Sequence, residues 1–200
     1  MKIILIHGFK SSPSMNFFPW LKKSLTDLGH EVMVPELPNS VEPNPEEWTR
    51  ALVEKVGAID DETIIVGHSL GSVSALRFLE AAEIKSTPKA CLLISPPWMI
   101  KHELFQGFFL DELDFDVLMW KASRFVILHS KDDNIVPFDH AEKYASVLHA
   151  ELVERSEGEN HFQGEEYPVI LETIKKIIKE EIVYEPGSEL KDQYGILHER

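Results

Sequence analysis

The chain contains 200 residues, 44% of them hydrophobic, which suits one domain with a substantial core. The formal net charge of −14 argues against nucleic acid or an anionic membrane surface as the main partner, because both require a basic face. The first apolar run stops at His7, too short for a signal peptide, and no stretch is apolar for long enough to span a membrane. With a single cysteine, Cys91, no disulfide can form within the chain, and a cytoplasmic location is predicted.

Short apolar runs alternate with amphipathic stretches along the chain. Strands are predicted over residues 2–6, 32–34, 63–66, 90–95, 125–128 and 150–155. Helices are predicted over about 14–28, 45–57, 70–82, 139–148 and 166–180. Strands that are apolar throughout and alternate with helices are typical of an α/β fold with a mostly parallel sheet, here of about six strands, and helices on both faces.

Two helix starts carry capping signals. Asn44 followed by Pro45 predicts an N-cap and a first-turn proline. Asp139, with Glu142 three residues later, predicts a capping box.

The domain is predicted to span 1–182, with a cap-like insertion at about 96–123 and a C-terminal tail at 183–200. The insertion is rich in aromatic residues, which either line an apolar acyl pocket or belong to the core beneath a loop. The sequence leaves both interpretations open. Four of these aromatics are candidates for substrate binding: Trp98, Phe105, Phe108 and Phe109.

The segment Gly67-His68-Ser69-Leu70-Gly71 directly follows the predicted strand at 63–66. It matches the G-x-S-x-G nucleophile elbow, in which a serine lies on a sharp turn between a strand and a helix. Glycines two positions before and after the serine leave room for that turn. Ser69 is therefore the predicted nucleophile.

Two further polar segments follow later strands, in the order acid and then histidine. Asp133 lies three residues before Val136 of a Val-Pro pair, which favours it over its neighbour Asp132 as the acid that orients a catalytic histidine. Asp132 remains the alternative. His161 follows the sixth strand and is the predicted base, because a serine hydroxyl needs a partner that takes its proton.

Backbone N–H groups are the predicted oxyanion hole. One donor is Leu70, directly after the nucleophile, and the other is Phe9, in the loop after the first strand. His7 and His68 belong to the same motifs and are further candidates for contact with substrate. The sequence contains no H-E-x-x-H, G-x-G-x-x-G or Walker motif, so neither a metal nor another cofactor is predicted.

These motifs resemble the α/β-hydrolase superfamily, over about residues 2–180. Within it the chain is similar to the compact serine hydrolases related to retinoblastoma-binding protein 9 and the bacterial YdeN proteins. The resemblance implies a compact α/β-hydrolase fold without the usual N-terminal antiparallel hairpin. It also implies Ser69, Asp133 and His161 as the triad. Asn160 departs from the pattern, because glycine commonly precedes the catalytic histidine in the family.

The function expected from these residues is hydrolysis of a small carboxylic ester through an acyl-enzyme, as in carboxylesterases. Thioester, amide and peptide substrates are variants of the same chemistry. The alternative is a catalytically weak or inactive protein-interaction module on a hydrolase scaffold, since a fold does not by itself imply a function. The protein is expected to be a monomer or a homodimer with a small-molecule, ester-like substrate.

Overall fold

The computed structural model describes residues 1–109 and 113–180. Its strands are β1 (Lys2–Ile6), β2 (Glu31–Met33), β3 (Thr63–His68), β4 (Ala90–Ile94), β5 (Phe125–Ser130) and β6 (Glu151–Arg155). They form one sheet in the order β2-β1-β3-β4-β5-β6, and every neighbouring pair is parallel. The predicted parallel sheet of six strands is confirmed. Because all strands run the same way, their carboxyl ends meet at one edge.

Helices cover both faces of the sheet, as predicted. The α-helices are α1 (Phe18–Asp27), α2 (Pro45–Val56), α3 (Leu70–Ala81), α4 (Phe115–Leu118), α5 (Asp139–Val147) and α6 (Pro168–Lys179). Helices α2, α3 and α5 pack on one face, and α1 and α6 pack on the other. No helix in the described ranges is both long and apolar enough to cross a membrane.

Alternate residues of each strand point to opposite cores, which explains the continuous apolar runs in the sequence. In β3, Ile65 belongs to the core under α3, whereas Ile64 and Val66 belong to the core under α1 and α6. Cys91 of β4 is fully buried in the first of these cores as a small apolar residue. Each fully buried aliphatic side chain stabilises the fold by about 1.5–3 kcal/mol.

Several element boundaries differ from the sequence prediction, and two of these differences have a clear physical cause. Helix α1 begins at Phe18, later than predicted, because Asn16 has a left-handed φ of 52° and Pro19 occupies the first turn. Strand β3 continues two residues beyond Val66, where Gly67 pairs with Ile6 of β1. Pairing with neighbours therefore carries the strand up to the nucleophile, which a local apolar pattern could not reveal.

One of the two predicted caps is present. The Asn44 side chain accepts a hydrogen bond from the Glu47 N–H at 3.0 Å, which confirms the N-cap of α2. The predicted capping box of α5 is wrong, because Phe138 is the N-cap residue and Asp139 already lies in the first turn. There Asp139 pairs with Lys143 one turn further along.

The predicted insertion at 96–123 contains a 3₁₀-helix (Glu103–Phe108) and the short α4. Phe108 and Leu118 are buried in the core of the α2–α3 face. Trp98 is only partly buried and stacks on Phe115, with ring centroids 5.3 Å apart. The segment therefore supplies both core residues and a partly exposed aromatic layer. Residues 110–112 of the insertion and the predicted tail at 183–200 lie outside the described residues.

Candidate active site

Ser69 lies on a sharp turn between β3 and α3. Its backbone has φ 54° and ψ −127°, in a region that non-glycine residues rarely adopt. The turn is held by a hydrogen bond from the Ser69 N–H to the Ile94 carbonyl oxygen at 2.8 Å. Strain of this kind persists only where the surroundings enforce it, and it occurs most often at functional sites.

The two glycines of the elbow are required by close backbone packing. A Cβ atom on Gly67 would lie 2.5 Å from the Gly71 carbonyl oxygen. A Cβ atom on Gly71 would overlap the Ile6 carbonyl oxygen and lie 2.6 Å from that of His7. These neighbours are backbone atoms of β1, the adjoining loop and the elbow, so they cannot rotate away.

Replacing Gly71 by alanine is expected to lower the free energy of unfolding by about 2 kcal/mol or more, because the backbone of β1 would have to move. The midpoint of thermal unfolding should fall by about 4–8 °C. Gly107→Ala is the control, because there the nearest atoms belong to the Pro45 side chain at 3.2 Å and can adjust. Equal unfolding midpoints for Gly71→Ala and the wild type would contradict this account of the elbow.

The structure brings the three residues predicted as a triad into one hydrogen-bonded chain. His161 Nε2 lies 2.9 Å from Ser69 Oγ, and His161 Nδ1 lies 2.8 Å from Asp133 Oδ2. The three residues come from the carboxyl ends of β3, β5 and β6 or from the loops that follow them. These distances are within reach of direct proton transfer between serine and histidine, and the carboxylate can orient the ring.

Asp133 is a buried carboxylate with hydrogen bonds to both oxygens. Its side chain is 0% exposed. Oδ1 accepts hydrogen bonds from the Ile135 and Val136 N–H groups, each at 2.9 Å. Burial by itself raises the pKa of Asp133, but hydrogen bonds from His129 and His161 outweigh it and hold that pKa well below its usual range. Asp133 is therefore ionised at neutral pH and can stabilise a protonated His161.

His129 is a second histidine at the Asp133 carboxylate, and the sequence did not single it out. It is fully buried in β5, with Nε2 3.2 Å from Asp133 Oδ2 and 3.0 Å from the Val136 carbonyl oxygen. Nε2 must carry a hydrogen to bond these acceptors. No local motif distinguishes this residue, because its role depends on the fold of the loop that follows β5.

Asp132 holds the loop that carries His161, whereas Asp133 contacts the ring itself. Asp132 accepts hydrogen bonds from the Gly158 N–H at 2.6 Å and the Asn160 N–H at 3.0 Å. Asn160 has a left-handed φ of 46°. Glycine favours that conformation and asparagine tolerates it better than most residues, which accounts for the departure from the family pattern at this position.

The two predicted oxyanion donors face the same cavity as Ser69. Phe9 and Leu70 both line it, and the backbone N–H groups of both lack an acceptor among the described residues. The lack of a side chain at Gly8 allows the two loops to lie close together, because a Cβ atom there would lie 3.3 Å from the Leu70 nitrogen. Leu70 is also the first residue of α3, and the N-terminus of a helix favours negative charge.

The structure does not support the prediction that His7 and His68 contact substrate, because both are buried. His7 Nε2 accepts the Leu37 N–H at 3.2 Å, and Nδ1 lies 3.1 Å from the Gly8 carbonyl oxygen. His68 Nε2 donates to the His161 carbonyl oxygen at 2.8 Å. Both rings therefore stabilise loops of the site through hydrogen bonds to backbone groups of Leu37, Gly8 and His161.

His68 should make the protein less stable in acid. Burial, and then the nearby His161, lower the pKa of His68 from its ordinary value of 6.5 to about 3. Between these two values the unfolded chain binds a proton that the folded chain does not, so stability falls as the pH falls, by about 1.4 kcal/mol per pH unit.

In urea unfolding between about pH 6 and pH 4, His68→Gln should show a shallower loss of stability than the wild type. Glutamine can keep a donor for the His161 carbonyl oxygen without titrating. Equal slopes for the two proteins would show that His68 is not the source of the pH dependence.

Two neighbouring cavities, one of which contains the nucleophile, are lined by the aromatic residues predicted to bind substrate. The cavity that contains Ser69 has a volume of about 650 Å³, and Trp98 and Phe105 line it. A second cavity of about 310 Å³ is lined by Phe108 and Phe109, and it shares Trp98 with the first. In residues 1–109 and 113–180, no group of three or more His, Cys, Asp or Glu side chains could hold a metal ion.

Comparison with known proteins confirms the resemblance predicted from the sequence. A family model described as serine hydrolase matches residues 3–177. The YdeN protein of Bacillus subtilis is 29% identical over 189 residues, which cover 90% of this chain and 97% of that protein. The crystal structure of the B. subtilis ydeN product has a TM-score of 0.81 at 26% identity, over 90% of this chain and 99% of that one. Serine hydrolase RBBP9 of Rattus norvegicus is 22% identical over 166 residues, or 81% of this chain and 86% of that protein.

Proposed function

The chain belongs to the serine hydrolase family, and from this premise we propose that it hydrolyses a small carboxylic ester through an acyl-enzyme on Ser69. The observation that carries the proposal is the hydrogen-bonded chain from Ser69 Oγ through His161 to a buried, ionised Asp133. A serine hydroxyl is a weak nucleophile without a base, and this arrangement supplies one.

In the first half of the reaction, Ser69 Oγ attacks the ester carbonyl carbon while His161 Nε2 takes the hydroxyl proton. The carbonyl oxygen becomes an oxyanion, which accepts hydrogen bonds from the Phe9 and Leu70 N–H groups. The bond to the alcohol oxygen then breaks, and His161 returns its proton to the departing alcohol. Asp133 stabilises the protonated ring between these two transfers.

In the second half, water attacks the acyl-enzyme. His161 takes a proton from the water, and the same two N–H groups hold the second oxyanion. Collapse of this intermediate releases the carboxylic acid and returns the proton to Ser69 Oγ. Thioesters, amides and peptides would follow the same steps with a different leaving group.

A fluorophosphonate probe tests the nucleophile, and 4-nitrophenyl acetate and butyrate test the activity. We expect one mole of probe per mole of native protein, attached to Ser69, and matching loss of esterase activity. Heat-denatured protein is the control, because unfolding separates Ser69 from His161. Native protein that neither takes up the probe nor cleaves either ester would favour the alternative, an interaction module on the hydrolase fold.

The cavity dimensions predict a preference for short to medium acyl chains. Each buried methylene should add roughly 0.8 kcal/mol to transition-state binding until the apolar space is filled. In a series of 4-nitrophenyl esters from two to sixteen carbons, kcat/KM should therefore rise over the first few carbons and then fall. A steady rise to the longest chain would contradict this prediction and indicate a lipase.

A further inference from the structure

The cavity that contains Ser69 differs in charge from the rest of the chain. The sequence has 34 acidic and 20 basic residues. Among the described residues that line the cavity, however, there is no aspartate or glutamate, and the lining includes Lys101, His140 and Lys143. A wall of this kind attracts a negatively charged ligand, which the strongly acidic remainder of the surface would repel.

His140 is a fixed hydrogen-bond donor in that wall. Its Nδ1 accepts the Trp98 N–H at 3.1 Å, so the hydrogen of the neutral ring lies on Nε2. Partial burial lowers the pKa of His140, which keeps the ring neutral at pH 7. The Nε2–H group has no acceptor among the described residues, so it can bind a ligand.

The two lysines supply positive charge beside this donor. Lys143 lies three residues beyond His140 in α5 and pairs with Asp139 at 2.7 Å, but both side chains are about half exposed, so this pair is weak. Lys101 is exposed and has no ion-pair partner in the part of the chain that the structure describes. Either ammonium group can therefore turn to an anion in the cavity.

We propose that the ester substrate carries a second, negatively charged group, which His140, Lys143 and Lys101 bind. The inference rests on the proposed function, because the ester has to reach Ser69 in the same cavity. His140 supplies a directional hydrogen bond, and the lysines act by charge. The apolar wall, which includes Trp98 and Phe105, accommodates the hydrocarbon between the ester and the anionic group.

Pairs of substrates that differ only in the charge of the far end test whether the enzyme prefers a negatively charged group. The 4-nitrophenyl monoesters of succinate, glutarate and adipate are compared with the esters whose far end is a carboxamide, which has nearly the same shape and no charge. Rates without enzyme are subtracted. We expect kcat/KM to be higher for the carboxylate than for the carboxamide at one or more lengths. Added sodium chloride should reduce this ratio, because salt screens exposed charges.

Variants then test the residues. Lys101→Met and Lys143→Met should each lower the ratio of carboxylate to carboxamide by about 2- to 5-fold. Asp139→Asn should raise it, because it frees Lys143 from its competing partner. Lys22→Met and Lys23→Met on α1 are the matched controls: Lys22 is exposed like Lys101, and Lys23 pairs with Asp27 one turn away, as Lys143 pairs with Asp139. Both should leave the ratio unchanged.

If the ratio of kcat/KM for carboxylate over carboxamide is one or less at every length, and the carboxamide esters are cleaved, the proposal of an anionic substrate group is wrong. The proposal of ester hydrolysis would still hold. A ratio above one that neither Lys101→Met nor Lys143→Met lowers would overturn the assignment of these residues. Failure to cleave any ester, together with no labelling of Ser69 by the fluorophosphonate, would instead overturn the proposed function.

Discussion

Ser69→Ala is expected to lower kcat for ester hydrolysis by about 10⁶-fold, the loss measured when the nucleophile of another triad hydrolase was removed. Without the hydroxyl no acyl-enzyme can form, and water would have to attack the ester directly. The fold should be retained, because alanine occupies no more space than serine and meets the same backbone requirement at φ 54°. Steady-state hydrolysis of 4-nitrophenyl butyrate and labelling by a fluorophosphonate measure the two effects.

Ser74→Ala is the matched control. It also removes one serine hydroxyl from the elbow region, but that hydroxyl only donates to the Leu70 carbonyl oxygen at 3.2 Å, within α3. Its activity and probe labelling should stay close to those of the wild type. If Ser69→Ala kept wild-type turnover, Ser69 would not be the nucleophile, and the proposal of an acyl-enzyme on Ser69 would be wrong.

Asp133→Asn should lower kcat by about 10⁴-fold, by analogy with the same change in another triad. An amide nitrogen at the position of Oδ2 would present hydrogens to His161 Nδ1 and His129 Nε2, where the carboxylate now accepts from both. The neutral His161 ring would then carry its hydrogen on Nε2, facing Ser69 Oγ, and this nitrogen could no longer take the serine proton.

Asp132→Asn provides the contrast, because the two acids are neighbours with different partners. It weakens the hydrogen bonds from the Gly158 and Asn160 N–H groups but leaves His161 bonded to Asp133. We expect a much smaller loss of kcat than in Asp133→Asn, together with a lower midpoint of thermal unfolding, because weaker hydrogen bonds hold the loop less firmly. The sequence favoured Asp133 over Asp132, and a larger loss of kcat in Asp132→Asn than in Asp133→Asn would reverse that assignment.

Local sequence determined much of the fold. Strand positions could be predicted because a strand buried on both faces must be apolar throughout, as in Ile64, Ile65 and Val66. The elbow could be predicted because only glycine fits at Gly67 and Gly71, where backbone atoms lie too close for a Cβ atom. The order of Ser69, Asp133 and His161 also follows from the sequence, although their catalytic roles stay predictions until the variants are measured.

Only the tertiary structure decided which polar side chains face the cavity. His7 and His68 adjoin the right motifs, yet both point into packed protein, since burial depends on segments distant in sequence, such as Leu37 and the loop of His161. His129 reaches the triad carboxylate only because the loop after β5 folds back onto that strand. The acid-free lining of the cavity likewise arises from loops that meet only when the sheet has formed. A local sequence pattern predicts the secondary structure and turns of its own segment, whereas contacts between distant segments depend on how the whole chain packs.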